Sequence, residues 1–183
     1  AGPAGYDASF DAMFLLGFHG MAGAENGVLA HSFTPILKNV WLNGSKIGEI
    51  AMNMATFGAV GVPTVFVSGD EAAVAEARAL VPEIEGATVK WGLEEKEKLG
   101  ALSVRKAVSL SPGKAQEVIR EAARRAMSKI GSVEPWRVEP PYTMRVQYVE
   151  EKYAAPMKGQ PGMVAIDETT VEQVRGSLSE LIF

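Results

Sequence analysis

Residues 12–18, Ala-Met-Phe-Leu-Leu-Gly-Phe, form an unbroken apolar run that stops at His19. A run of this length with no polar alternation predicts a β-strand buried on both faces, the kind found inside parallel sheets. A Gly-rich loop follows from Gly20 to Gly27. Further along, apolar runs of strand length alternate with helical patterns, which predicts an α/β fold, a mixed β-sheet flanked by helices.

The elements can be placed from local signals. Val40 to Leu42, then Asn43-Gly44, then Lys46-Ile47 read as a β-hairpin, because Asn-Gly suits a turn with positive φ. Ile47 to Val60 has helical spacing through Ile47, Ile50, Met54 and Phe57. Pro63 opens a strand from Thr64 to Val67, and Asp70 is placed to cap an Ala-rich helix running to Leu80. Ala87 to Trp91 reads as a short strand, and the charge run Glu94 to Lys98 as a solvated loop or helix face. Ser111-Pro112 starts a long helix to about Ile130. Glu134 to Pro141, with three prolines, is a connector; Tyr142 to Val149 alternates as a half-buried strand. Met163 to Ile166 reads as the last strand, with Thr169 or Thr170 capping a final helix to Phe183.

Composition narrows the function classes. The 183 residues are 47% hydrophobic and 22% charged, enough for one packed domain over 1–183. We divide it into a loop at 1–9, an α/β core at 10–133 and a strand–helix region at 134–183. A net charge of -4 gives no basic footprint for nucleic acid. No apolar run reaches the roughly 18 residues of a transmembrane helix, so no membrane partner is expected. The absence of cysteine excludes disulfides and thiolate metal sites, and it fits a cytoplasmic location. Ala1 to Gly5 reads as a loop without an initiator Met, so we expect upstream residues to have been removed or omitted.

The chain has two histidines, His19 and His31. His19 follows a strand directly, where functional groups of open α/β sheets collect. His31 follows the Gly-rich loop, and Glu49 opens the helical segment after the hairpin. Two imidazoles and a carboxylate suit zinc or acid–base chemistry. The residues alone leave a plainer reading open: a histidine at a strand end can be a hydrogen-bonded structural group, and a glutamate in a first helical turn is favoured by the helix dipole. Asp70, Lys90 and Asn53 have equally plain readings as cap, exposed strand lysine and neighbour of Glu49, while Met52 and Met54 read as packing residues. Arg120, Arg124 and Arg125 read as a solvated helix face.

The ordered set Gly17-Phe18-His19, Ala30-His31-Ser32 and Leu42-Asn43-Gly44 through Gly48-Glu49 resembles the zinc-dependent D-aminopeptidase family typified by the dipeptide-operon protein DppA. The resemblance continues through Val62–Ala73, Thr88–Lys90 and Leu110–Ala115 and weakens after Pro141. It implies that His19 and Glu49 are zinc ligands and that His31 is the catalytic histidine. It further implies two zinc ions per complete subunit, a short peptide substrate with an N-terminal D-amino acid, and a large homo-oligomer. The family pattern also includes an Asp-x-Glu pair on a first strand and a further histidine, which this chain lacks. We therefore expect the N-terminal strand or strands of the family fold to be missing, and a missing N-terminal segment or companion chain to complete the site. On this reading the chain is the C-terminal portion of an aminopeptidase-like subunit. Two other classes stay in view: a metal-free aminopeptidase-like binding or scaffold protein, and a metal-dependent amidohydrolase acting on a non-peptide amide.

Overall fold

A computed structural model of the chain describes residues 5–99 and 101–182. The α/β class holds. One five-stranded mixed sheet contains, in order, β1 (Met13–Phe18), β5 (Thr64–Asp70), β6 (Glu85–Leu99), β7 (Leu102–Ser109) and β2 (Leu29–Ala30). The first three strands are parallel, β7 pairs antiparallel with β6, and β2 pairs antiparallel with β7. A second, antiparallel sheet contains β4 (Ser45–Lys46), β3 (Leu37–Leu42), β8 (Tyr142–Tyr148), β10 (Thr170–Arg175) and β9 (Met163–Ala165). The helices are α1 (Glu49–Ala59), α2 (Glu71–Leu80), α3 (Pro112–Met127) and α4 (Glu151–Lys158).

Burial follows from these connections. β5 is buried along its entire length, which requires cover on both faces, and α1, α2 and α3 all pack on it. Its Val65, Phe66 and Val67 join Met13, Leu15, Ile50, Met54, Val74 and Ala122 in one apolar core. A second core lies on the other sheet, where Leu37, Val40 and Leu42 of β3 meet Met144 and Val146 of β8. Helix α1 serves both cores: Ile50 and Met54 face the first, Ala51 and Ala55 the second. The two sheets are thereby held on either side of the helix that begins at Glu49.

Local chemistry accounts for the element ends. Asn43 and Gly44 both take positive φ, 47° and 83°, as the hairpin turn requires. Asp70 caps α2, its Oδ1 accepting the Ala73 N–H at 2.8 Å. Ser111 caps α3 and Pro112 occupies its first turn.

Several expectations are corrected. β1 is not buried on both faces: it pairs only with β5 among the described residues, and Leu16 is 63% exposed. The charge run Glu94 to Lys98 is neither loop nor helix; it lies in β6, which continues far beyond Trp91 and pairs with β7. The strand at Met163 is not the last, and the expected final helix is not found among the described residues. Thr170 to Arg175 instead pairs with β8 along its full length, and only a short 3-10 turn, Leu178–Glu180, follows. Phe183, the expected end of that helix, lies outside the described residues.

Candidate metal centre

Three elements bring His19, His31 and Glu49 together. His19 is the first residue beyond β1, at the carboxyl end of the parallel strands, where Phe18 pairs with Gly69 of β5. His31 follows β2, and Glu49 is the first residue of α1. The His19 and His31 rings stack with centroids 3.9 Å apart and an interplanar angle of 18°. Their Nε2 atoms lie 3.7 and 3.9 Å from Glu49 Oε1. Candidate donor atoms of all three residues fall within 4.8 Å of one another, a spacing that can hold a metal ion. No such group of three was visible as a spacing in the sequence.

The backbone orients each donor. His19 Nδ1 lies 3.2 Å from the Gly20 carbonyl, and the same carbonyl accepts the His31 N–H at 3.3 Å. His31 Nδ1 lies 2.8 Å from the Leu29 carbonyl. A carbonyl oxygen only accepts, so each neutral ring carries its hydrogen on Nδ1 and presents the Nε2 lone pair to the cluster. This is the support that metal-binding histidines commonly receive. Glu49 Oε1 accepts the Phe33 N–H at 2.7 Å, a bond that Phe33 reaches through a left-handed φ of 60°. Glu49 Oε2 is buried and has no hydrogen-bond partner. A buried carboxylate oxygen without a partner costs about 1–3 kcal/mol or more. The other oxygen, Oε1, lies beside both Nε2 atoms, so the carboxylate and the two imidazole lone pairs together suit a cation. Neutral imidazole and carboxylate are donors that zinc takes, so the residue types fit zinc.

Other expected residues take plainer places. Asn53 supports Glu49 through its backbone, donating from Nδ2 to the Glu49 carbonyl at 2.7 Å, and does not touch the carboxylate. Asp70 is buried; besides capping α2 it accepts the Val28 N–H through Oδ2 at 2.8 Å and so anchors the strand leading to His31. Lys90 is an exposed strand residue, Met52 and Met54 are packed, and Arg125 pairs with Glu85 at 3.1 Å. A cavity of about 480 Å³ beside Trp41 lies on the antiparallel sheet, away from the cluster.

Sequence reasoning missed Glu76. It sits on α2 beside a cavity of about 670 Å³ lined by residues 21–26 and Lys46. Burial pushes its carboxyl up to about 7; the Met21 N–H lowers it, the charges of Glu49 and Asp70 raise it, and Lys46 lowers it. The folded protein therefore binds this proton more tightly than the unfolded chain, whose glutamate titrates near the ordinary 4.5. The associated stability is present below that value and is lost as pH rises toward 7, by about 3 kcal/mol. Urea unfolding of metal-free wild type and Glu76→Gln at pH 4.5 and pH 8 checks this. The wild type is expected to lose ground to the variant by that amount at the higher pH, whereas a constant difference would contradict the raised value.

Residues 3–182 match the model of the D-aminopeptidase family, peptidase family M55. A D-aminopeptidase of Bacillus subtilis (strain 168) is 31% identical over 132 residues, covering 72% of this chain and 44% of that protein. The solved structure of the Zn-dependent D-aminopeptidase DppA from Bacillus subtilis, described as a self-compartmentalizing protease, superposes with a TM-score of 0.84 at 25% identity. It covers 96% of this chain, and the chain spans 61% of that one. With a family model matched from residue 3 to residue 182, this chain belongs to the D-aminopeptidase family.

Proposed function

We propose that the chain carries the catalytic core of a zinc aminopeptidase that releases an N-terminal D-amino acid from short peptides. The observation that carries this reading is the meeting of two Nε2 lone pairs with a carboxylate whose Oε2 is buried and unpartnered. His19 and Glu49 would hold the zinc. Zinc bound there would polarise the scissile carbonyl and acidify a water. His31, anchored through Nδ1 on the Leu29 carbonyl, has a free Nε2 to take a proton from the attacking water. The C–O bond forms as that proton is taken; the same atom then returns the proton to the leaving amine, and the amide C–N bond breaks. A second zinc ion per complete subunit would need donors beyond this cluster, the one such group among the described residues.

Homo-oligomerisation and a cytoplasmic location belong to the same reading. The first rests on the self-compartmentalizing relative, the second on the lack of cysteine. No helix among the described residues is long and apolar enough to cross a membrane. The test is metal content together with hydrolysis of dipeptides that begin with D- or L-alanine. For the complete subunit, zinc that co-purifies, with release of D-alanine abolished by a chelator and restored by zinc, is the expected result. Protein that takes up no zinc and hydrolyses neither dipeptide would turn the reading toward a metal-free binding protein.

A further inference from the structure

Glu76 is placed where one carboxyl touches both chain segments that present the zinc donors. Its Oε2 accepts the Met21 N–H at 2.9 Å, two residues beyond His19. Its Oε1 is buried without a hydrogen-bond partner. That oxygen lies against Gly48, the residue before Glu49: a Cβ added to Gly48 would sit 3.2 Å from Glu76 Oε1 and 2.6 Å from Met21 Cβ. Met21, Gly48 and Glu76 thus form one contact behind the cluster, closed from three separate elements. The proposed mechanism gives this carboxyl no role, and burying it is unfavourable.

The Met21 amide has a particular need for this acceptor. Met21 lies in the loop after β1, outside the sheet ladder, and its N–H is bonded to Glu76. The next amide, Ala22 N–H, goes to Ser32 Oγ at 3.1 Å, and Ser32 follows His31 directly. Val28 N–H goes to Asp70. The segment between the two histidines is therefore fixed by three side-chain acceptors together with the short pairing of β2 on β7. Of these, the bond to Glu76 is the one that ties the His19 end to the segment before Glu49.

We propose that Glu76 is a positioning residue of the zinc site: by accepting the Met21 N–H while packed on Gly48, it sets the separation between His19 and Glu49. This rests on the assignment of His19 and Glu49 as zinc ligands. Supporting groups around metal ligands typically contribute about 10–100-fold in affinity, and Glu76 acts at one further remove, through backbone.

The experiment measures zinc affinity by competition with a chromogenic chelator for wild type, Glu76→Gln, Glu76→Met and His19→Ala. Gln keeps an acceptor oxygen for Met21, whereas Met keeps the bulk and loses the acceptor. Glu76→Met is expected to weaken zinc binding about 10–100-fold, and Glu76→Gln to stay within about 3-fold of wild type. A role in filling space alone would leave Met as good as Gln, so equal affinities for these two variants overturn the proposal. Should Glu76→Met fail to fold, Gly48→Ala reports on the same contact by pushing on Met21 and Glu76, and unchanged zinc affinity in that variant is equally fatal. His19→Ala separates the two levels of inference. If it binds zinc like wild type, the ligand assignment itself fails. If it loses zinc while both Glu76 variants retain wild-type affinity, the ligands stand and the positioning role falls.

Discussion

Replacing His31 by alanine is expected to lower turnover by about 10²–10⁴-fold, the usual contribution of a positioned acid–base group, while zinc stays bound. The distances alone admit His31 as a third ligand, since its Nε2 is as close to Glu49 Oε1 as that of His19 within 0.2 Å. What separates the two is their support. His19 is the residue at which β1 ends, and its loop is tied down immediately at Met21. His31 sits between the two-residue strand β2 and an isolated bridge from Ser32 to Thr34, with its ring hydrogen-bonded to the carbonyl two residues before it. Both rings are held through Nδ1, and the ordered motifs assign the proton-exchanging role to His31. The measurement pairs kcat on a D-alanyl dipeptide with zinc stoichiometry. Activity lost with zinc retained supports acid–base action; zinc lost together with activity makes His31 a ligand and reassigns its role.

The parts of the fold that were legible in sequence are those whose cause is local. Asn43-Gly44 makes a turn of positive φ, Asp70 offers its carboxylate to Ala73, and Ser111-Pro112 opens α3. Thr170 to Arg175 misled because a threonine before an apolar-spaced segment resembles a capped helix. Its alternation of buried Val171 and Gln173 with exposed Val174 has the period of a strand, and pairing with β8 decides the matter. The Ser177 and Glu180 capping box is genuine, yet it starts only a single short turn. The charged stretch of β6 was read as loop or helix because its partner β7 is supplied by a hairpin whose own strand was not recognised. α4 was missed because Pro156 lies inside it.

The site shows the same division. Residue types and strand-end placement pointed to His19, His31 and Glu49, and the ordered motifs supplied roles. Their convergence was expected from the strand-end position of His19 and the ordered motifs, while its geometry was not, because that depends on β2 closing onto the far side of β7 and on α1 standing between two sheets. Glu76 was hidden for a related reason. Its contact with Met21 spans 55 residues, and within an Ala-rich amphipathic helix it looks like any solvated glutamate.

Glu49→Gln is expected to weaken zinc binding by more than about 100-fold, beyond the roughly 10–100-fold that follows loss of a supporting group, because it removes the only charged donor of the cluster. The same change is expected to leave the metal-free protein at least as stable as wild type. Glu49 carries a partly buried negative charge with one oxygen, Oε2, unsatisfied, and the carboxyl of Glu76 is near enough for the two charges to repel. Gln keeps an oxygen for the Phe33 N–H and removes the buried charge. Glu49→Ala behaves differently: zinc is lost as well, but the Phe33 N–H loses its acceptor, at a cost of about 1–3 kcal/mol in the metal-free state. The pair of variants therefore separates what Glu49 does for the metal from what it does for the fold. Chelator competition gives the first quantity and urea unfolding in the presence of chelator gives the second. Wild-type zinc affinity in Glu49→Gln would remove Glu49 from the ligand set. A metal-free Glu49→Gln as unstable as Glu49→Ala would show that the carboxylate is held by the fold for its own sake, and that its unpaired oxygen is not kept for a cation.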